Sequence, residues 1–230
     1  MSGIAVFDMN ETTLDLAPVR EAIGSLLGTP RGFELWFARL IQHSMVTAAT
    51  GLHRPFGSLG IAALHAQADA EGVGLAADAA DRVGGAMATL RPYPDVVPGL
   101  DHLLASGWRL IALTNTGQTT IETQLDACGL AGKFERVLSV DAVGIFKPWA
   151  APYRHAAEVA AVEPANMWMV ACHDWDLAGA KATGMSTAFV KRRGMATSPA
   201  YPEPDISADG FLALAALLEA NESGDLDGDR

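Results

Sequence analysis

The chain has 230 residues, half of them hydrophobic, which suits one large domain with a small addition and excludes wholesale disorder. A formal charge of −11, from 27 acidic against 16 basic residues, excludes a nucleic-acid binder, whose backbone contacts require clustered Lys and Arg. The two cysteines, Cys128 and Cys172, exclude a disulfide framework and lack metal-site spacing, and no apolar run reaches the ~18–20 residues of a membrane span.

The chain opens on an apolar run at 3–7 that predicts a buried parallel strand, with Asp8 at its carboxyl end. Residues 18–90 lack strand character and read as four helices, near 19–27, 33–49, 58–71 and 76–89. The second presents a broad apolar face of Phe33, Trp36, Phe37, Leu40, Ile41, Ser44 and Met45. A crossover between parallel strands needs one helix, so so long an insert predicts a helical cap over the carboxyl end of the sheet. Segments 14–17 and 91–96 are its linkers. Further strands are expected near 109–114, 136–139, 167–171 and 187–190, and helices near 97–106, 119–128, 152–162, 177–183 and 211–219. This alternation predicts a Rossmann-like α/β fold, a parallel sheet sandwiched by helices. Residues 1–17 and 91–219 form its core domain, 18–90 the all-helical cap inserted after the first strand, and 220–230 an acidic, flexible tail. Lys191, Arg192 and Arg193 form the one dense basic run and read as a solvated strand end.

In an open parallel sheet, ligands bind at the carboxyl ends of the strands, where the strand order reverses. Those ends carry Asp8, Thr114 and Asn115, Lys147 in the loop after the third strand, and His173, Asp174 and Asp176 after the fourth. Each alone reads as readily as a cap or turn residue; their recurrence at one edge marks a site. Thr12 follows Asp8 by four residues, where the chain must turn back and a hydroxyl can donate to the carboxylate. Lys147 precedes Pro148, with Tyr153 six residues on at the start of a helix. A lysine aimed at a carboxylate holds it ionised, as an attacking carboxylate requires.

The strand ending in Asp8, the Thr114-Asn115 strand end, the Lys147-Pro148 loop and the Asp176 loop resemble the four motifs of the haloacid dehalogenase superfamily. The likeness runs from residue 3 to about 218 and includes the insert after the first motif. Most of that superfamily are phosphatases, with a second aspartate two residues after the nucleophile and a Mg²⁺-binding carboxylate in the fourth motif. Here those positions hold Asn10, which cannot cycle a proton, and Cys172, a soft ligand for a hard ion. Both departures are similar to the type II branch, the (S)-2-haloacid dehalogenases, whose halide leaving group needs neither proton nor metal.

That resemblance implies dehalogenation of short (S)-2-haloacids, such as 2-chloropropionate, to (R)-2-hydroxy acids through an aspartyl ester. It implies a small anionic substrate and water as partners, no cofactor and no metal, a cytoplasmic setting and pairing as a homodimer. Neither nucleic acid nor a membrane is expected as a partner. By the same likeness Asp8 is the nucleophile, Thr12 the hydroxyl that orients it, and Lys147 the motif lysine. Thr114, Asn115, Asn10 and Tyr153 stand at the substrate, and Asp176 stands near the hydrolytic water. Trp36, Phe37 and Trp175 are candidates for an apolar pocket around the halogen-bearing carbon. His173, where the branch has an asparagine, is a candidate base because its ordinary pKa is near neutrality. The branch places an arginine directly after a cap tryptophan. Here Phe37 follows Trp36, and Arg39, the nearest arginine, is expected at the mouth of the site. A Mg²⁺-dependent phosphatase and a non-catalytic binding protein on the same fold are the competing readings.

Overall fold

The computed structural model describes residues 3–223. In chain order, Ile4–Phe7 (β1) leads to Leu14–Asp15 (β2) and four helices, Ala17–Leu27 (α1), Gly32–Thr50 (α2), Phe56–Glu71 (α3) and Ala79–Ala88 (α4). Arg91–Pro92 (β3) then returns the chain to Val96–Ala105 (α5), Arg109–Thr114 (β4), Gln118–Ala127 (α6) and Arg136–Ser139 (β5). Ala150–Ala160 (α7), Met167–Ala171 (β6), Asp174–Lys181 (α8), Ser186–Val190 (β7), Ile206–Ala208 (β8) and Phe211–Ser223 (α9) complete it.

The six-stranded sheet runs β5-β4-β1-β6-β7-β8 and is parallel throughout. All four residues of β1 are buried, because helices cover both faces of the sheet. Side chains alternate across a strand, so Ala5 and Phe7 pack with Leu100, Phe211 and Leu214 on one face. Ile4 and Val6 pack with Tyr153, Ala156 and Leu177 on the other. The chain leaves β1 for β4 on one side and later fills β6 on the other, so the strand order reverses at β1. Asp8, Asn115 and Cys172–His173 follow the carboxyl ends of these three central strands, where a crevice forms.

The helices α1–α4 form the cap, as expected. Its two connections pair as an antiparallel ladder, Leu14 with Pro92 and Asp15 with Arg91. The cap interior, including Ile23, Phe33, Trp36, Leu40 and Leu64, is continuous with the apolar cluster that contains Phe7. Strands β2, β3 and β8 have only two or three residues each, too short to leave a periodic signal. Three boundaries differ from expectation by three residues or more, the first being the start of α4 at Ala79 rather than near 76. Helix α8 begins at Asp174 rather than near 177, which puts Asp176 in its first turn. Helix α9 continues to Ser223, past the expected start of the tail; residues 224–230 of that tail lie outside the described residues. Among the described residues no helix is long and apolar enough to cross a membrane.

Close backbone approach fixes α5 against α9. A Cβ at Gly99 would lie 2.5 Å from the Phe211 Cβ and 2.7 Å from its carbonyl carbon, and backbone cannot yield as a side-chain tip can. Gly99→Ala is expected to destabilise the fold by about 1–3 kcal/mol, measured by urea denaturation. An unchanged midpoint would mean that this contact relaxes freely.

Candidate active site

The loop after β1 holds Asp8 from several directions. Asp8 N–H donates to Val170 O at 3.0 Å, continuing the ladder with β6. Thr13 Oγ donates to Asp8 O at 2.7 Å, and Thr12 Oγ donates to Asp8 Oδ2 at 2.7 Å while accepting Cys172 N–H at 3.0 Å. Thr13 and Leu14 N–H both return to Met9 O, and Glu11 sits at the resulting turn with φ 63°. A left-handed backbone is costly for a residue with a Cβ and persists only where its surroundings enforce it. Arg192 locks this loop from outside: its Nε and one terminal nitrogen donate to Thr12 O at 3.0 and 2.9 Å. Its other terminal nitrogen meets Asp95 at 3.0 Å, and the guanidinium stacks 4.0 Å from the Tyr93 ring centre. Arg192 is therefore a half-buried strut, not part of a solvated strand end; isolated sequence cannot reveal a carbonyl partner 180 residues away.

Lys147 is 1 % exposed. Its Nζ donates to Asp8 Oδ1 at 3.0 Å and to Asp176 Oδ2 at 2.8 Å. Tyr153 OH donates to the other Asp176 oxygen at 2.6 Å. Asn115 aims the lysine loop by accepting Lys147 N–H at 3.0 Å. Burial opposes the ammonium, but Asp176 and Asp8 outweigh it and raise the Lys147 pKa. Burial also opposes ionisation of Asp8, and Lys147, His173 and Thr12 outweigh it, holding that carboxyl well below the usual carboxylate range. Asp176 shifts upward, through its own burial and the charge of Asp8. Both Asp176 oxygens nevertheless accept donors, the pattern of an ionised carboxylate.

His173 caps α8 and forms the other side of Asp8. Its Nδ1 lies 3.4 Å from Asp8 Oδ2 and its Nε2 lies 3.1 Å from Glu11 Oε2. The ring is sandwiched between Phe37 of the cap and Trp175, each with its centre 5.4 Å away. Burial disfavours the imidazolium, yet the Cys172 sulfur and the Asp8 and Glu11 carboxylates more than offset it, and the pKa rises well above its ordinary value. While Asp8 is ionised, these two carboxylate neighbours favour the protonated ring. Arg20 of α1 extends the chain of charges: it donates to Glu11 at 3.2 Å, pairs with Glu34, and lies 4.0 Å over the Phe33 ring.

A cavity of about 980 Å³ borders His173, with Glu11, Arg20, Phe37, Trp175 and Arg192 also among its walls; Asp8 and Lys147 do not line it. The structure brings Asp8, Thr12, Lys147, Tyr153, His173 and Asp176 together, with Phe37 and Trp175 against His173. Asn10 donates to Thr116 Oγ at 3.0 Å and Thr114 Oγ accepts Thr116 N–H at 3.1 Å, so both shape the neighbouring loop. Two cap residues sit elsewhere than expected. Arg39 Nε donates to Gln67 Oε1 at 3.2 Å: two residues beyond Phe37 is a turn of ~200° about the helix, which aims it at α3. Trp36 is 4 % exposed and donates its indole N–H to Gly60 O at 2.8 Å inside the cap, not in a substrate pocket. Neither Glu11 nor Arg20 belongs to a spaced motif, because their pairing depends on how the cap folds back.

A family model described as haloacid dehalogenase-like hydrolase matches residues 3–184. The chain is 30 % identical over 129 residues to haloacetate dehalogenase H-2 of Moraxella sp. (strain B), covering 56 % of this chain and 58 % of that one. It therefore aligns with little more than half the length of that relative. It is 39 % identical over 94 residues to phosphoglycolate phosphatase of Neisseria gonorrhoeae, 41 % of this chain and 40 % of that one. Among solved structures, L-2-haloacid dehalogenase from Xanthobacter autotrophicus with chloropropionic acid covalently bound superposes with a TM-score of 0.84 at 26 % identity, over 95 % and 99 % of the two chains.

The contacts of His173 give it a pH signature. Its folded pKa is raised above the ordinary 6.5, so its contribution to stability is complete below that value and is lost as pH rises through the folded one. His173→Gln should therefore be less stable than the wild type at acid pH, with the gap closing as pH increases in urea titrations. The wild-type ring protons should show no NMR titration near 6.5; an ordinary titration there would detach the ring from its two carboxylates.

Proposed function

Because the chain belongs to the haloacid dehalogenase-like hydrolase family, we propose that it hydrolyses (S)-2-haloacids to (R)-2-hydroxy acids and halide through an ester on Asp8. The observation that carries this reading is the pair of cations on one buried carboxylate: Lys147 at Oδ1 and His173 at Oδ2, with Thr12 fixing the orientation. They keep Asp8 ionised within a largely closed site, where a poorly solvated carboxylate is an effective nucleophile. The covalent adduct named for the Xanthobacter relative supports the same route.

In the first step Asp8 displaces halide from C2 with inversion, forming an ester. Esterification removes the negative charge that helps to hold the His173 proton, and the ring releases that proton to solvent. Neutral His173, oriented through Nε2 by Glu11, then takes a proton from water as the water attacks the Asp8 carboxyl carbon. The same proton passes to the departing alkoxide, and the regenerated Asp8 acid returns one to His173. The net products are hydroxy acid, halide and one proton. Asp176, with both oxygens engaged by Lys147 and Tyr153, acts by holding the lysine.

The local likeness to a phosphatase favours a second reading, Mg²⁺-dependent phosphoryl transfer. Asn10 weighs against it, since an amide two residues after the nucleophile cannot protonate a leaving alcohol. Lys147 and His173 also already occupy both oxygens that would face a metal.

Halide release from 2-bromopropionate should be indifferent to EDTA and to added Mg²⁺, with no turnover of p-nitrophenyl phosphate. Reversible loss on chelation would favour the phosphatase. A single turnover with excess enzyme in ¹⁸O-water should give unlabelled product hydroxyl and a labelled Asp8 carboxylate; label in the first-turnover product would mean direct attack by water. Glu11→Gln and His173→Gln should slow ester hydrolysis at least tenfold and leave a trapped adduct visible by intact-protein mass spectrometry. Loss of turnover without any adduct would remove His173 and Glu11 from the second step.

A further inference from the structure

The basic run after β7 divides at Arg192. Lys191 and Arg193 are exposed, and Lys191 pairs with Asp209 at the surface. Arg192 turns inward between them, as side chains at a strand end alternate, and Lys191 N–H still donates to Ala208 O in line with β8. The Arg192 guanidinium packs on the rings of Tyr93 and Phe211, 4.0 and 5.2 Å from their centres. Its N–H donors lie in one rigid plane, so it can meet two partners at a fixed separation. Two of its nitrogens converge on Thr12 O, and the third lies 3.0 Å from both oxygens of Asp95. Asp95 is anchored in turn: it precedes α5 and accepts the N–H of Phe211, the first residue of α9, at 2.8 Å. The carbonyl of Thr12 is thereby tied to the α5–α9 pair of the core.

We propose that Arg192 is a positioning residue for the nucleophile: it fixes the Thr12 backbone against Asp95, and the Thr12 hydroxyl then holds Asp8 in the line of attack. The proposal rests on the dehalogenase reading for the nature of that attack. Thr12 is fully buried, and its hydroxyl oxygen accepts Cys172 N–H, so its single hydrogen is left for Asp8 Oδ2. A shift of the Thr12 carbonyl therefore moves the hydrogen bond on the nucleophile. Displacing a reacting group by about 1 Å can cost roughly 100-fold in rate. Lysine carries its charge at one point and cannot span the Thr12 carbonyl and the Asp95 carboxylate as a planar guanidinium does. Tyr93, which the guanidinium covers, donates its N–H to Thr13 O at 3.2 Å, so the cap's return linker is seated on the same loop.

Two measurements separate this proposal from the reading beneath it. The first is the rate of adduct formation on Asp8 in single turnovers of 2-bromopropionate. In Arg192→Lys the saturating rate should fall at least tenfold, with the half-saturating concentration changed less than threefold. In Arg192→Ala a non-denaturing concentration of guanidinium chloride, but not sodium chloride, should restore at least part of the loss. Lys191→Ala, which removes an exposed charge one residue away, should match the wild type. The second is the NMR shift of the His173 ring protons, which report the seat of Asp8 without any turnover; guanidinium should return them toward wild-type positions in Arg192→Ala. Attack within twofold of wild type in Arg192→Lys, an equal loss in Lys191→Ala, or a folded Arg192→Ala that ignores guanidinium would overturn the positioning role and leave the dehalogenase reading intact. Should Arg192→Ala not fold, judged by circular dichroism, Arg192→Lys decides alone. If the wild type forms no adduct with any haloacid but the His173 shifts respond to guanidinium, the positioning role stands and the dehalogenase reading falls.

Discussion

One ammonium group organises the catalytic edge of this protein. Lys147 Nζ lies between Asp8 and Asp176 with almost no access to solvent. Two carboxylates that close would repel each other in a poorly solvated site, and the shared cation lets both stay ionised. The arrangement is expensive to disturb, since removing one member of a buried ionic group commonly costs about 3–5 kcal/mol by stranding the others. It also explains why three separate segments converge here. The loop after β1 brings Asp8, the loop before α7 brings Lys147, and the first turn of α8 brings Asp176. Tyr153 ties the last two together through the free Asp176 oxygen.

A second chain of charges starts from the other oxygen of Asp8 and runs out of the core into the cap. His173, Glu11, Arg20 and Glu34 alternate in sign, and the last two belong to α1 and α2. Aromatic packing runs parallel to it: Trp175, His173, Phe37 and Phe33 stack in succession. Cap and core are therefore coupled twice at the site, by electrostatics and by ring contact, in addition to the apolar cluster they share. The left-handed backbone of Glu11 belongs to this coupling. Its strain is held in place by the turn hydrogen bonds to Met9 and by ion pairs on both carboxylate oxygens.

The chemistry assigned to His173 follows from that position. A histidine flanked by two carboxylates is a poor base while both are charged. On the proposed ester route it becomes a better one when Asp8 is esterified and one charge disappears. On that proposal the same residue supports the first step as a cation and the second as a base, without any movement of the ring. Arg192 contributes rigidity beneath this by fixing the Thr12 carbonyl and so the hydroxyl that orients Asp8.

What was legible in the amino-acid sequence was whatever depends on local order. The apolar run before Asp8, the alternation of strands and helices, and the long helical insert each leave a periodic or compositional trace within a few tens of residues. The grouping of Asp8, Lys147, His173 and Asp176 was legible from their places at strand ends, since a parallel sheet brings all such ends to one edge, and that of Thr12 and Tyr153 from their spacing to Asp8 and Lys147. Tertiary packing alone decided which way the cap side chains point. Arg39 faces α3 because its angle on α2 carries it away from Phe37, and Trp36 finds its indole partner at Gly60 for the same reason. Arg20, Glu11 and Arg192 entered the site through partners set by how the cap folds back on the core and by where the loop after β7 runs. Such pairings depend on the distance between surfaces, not on spacing along the chain, so only the folded structure determines them.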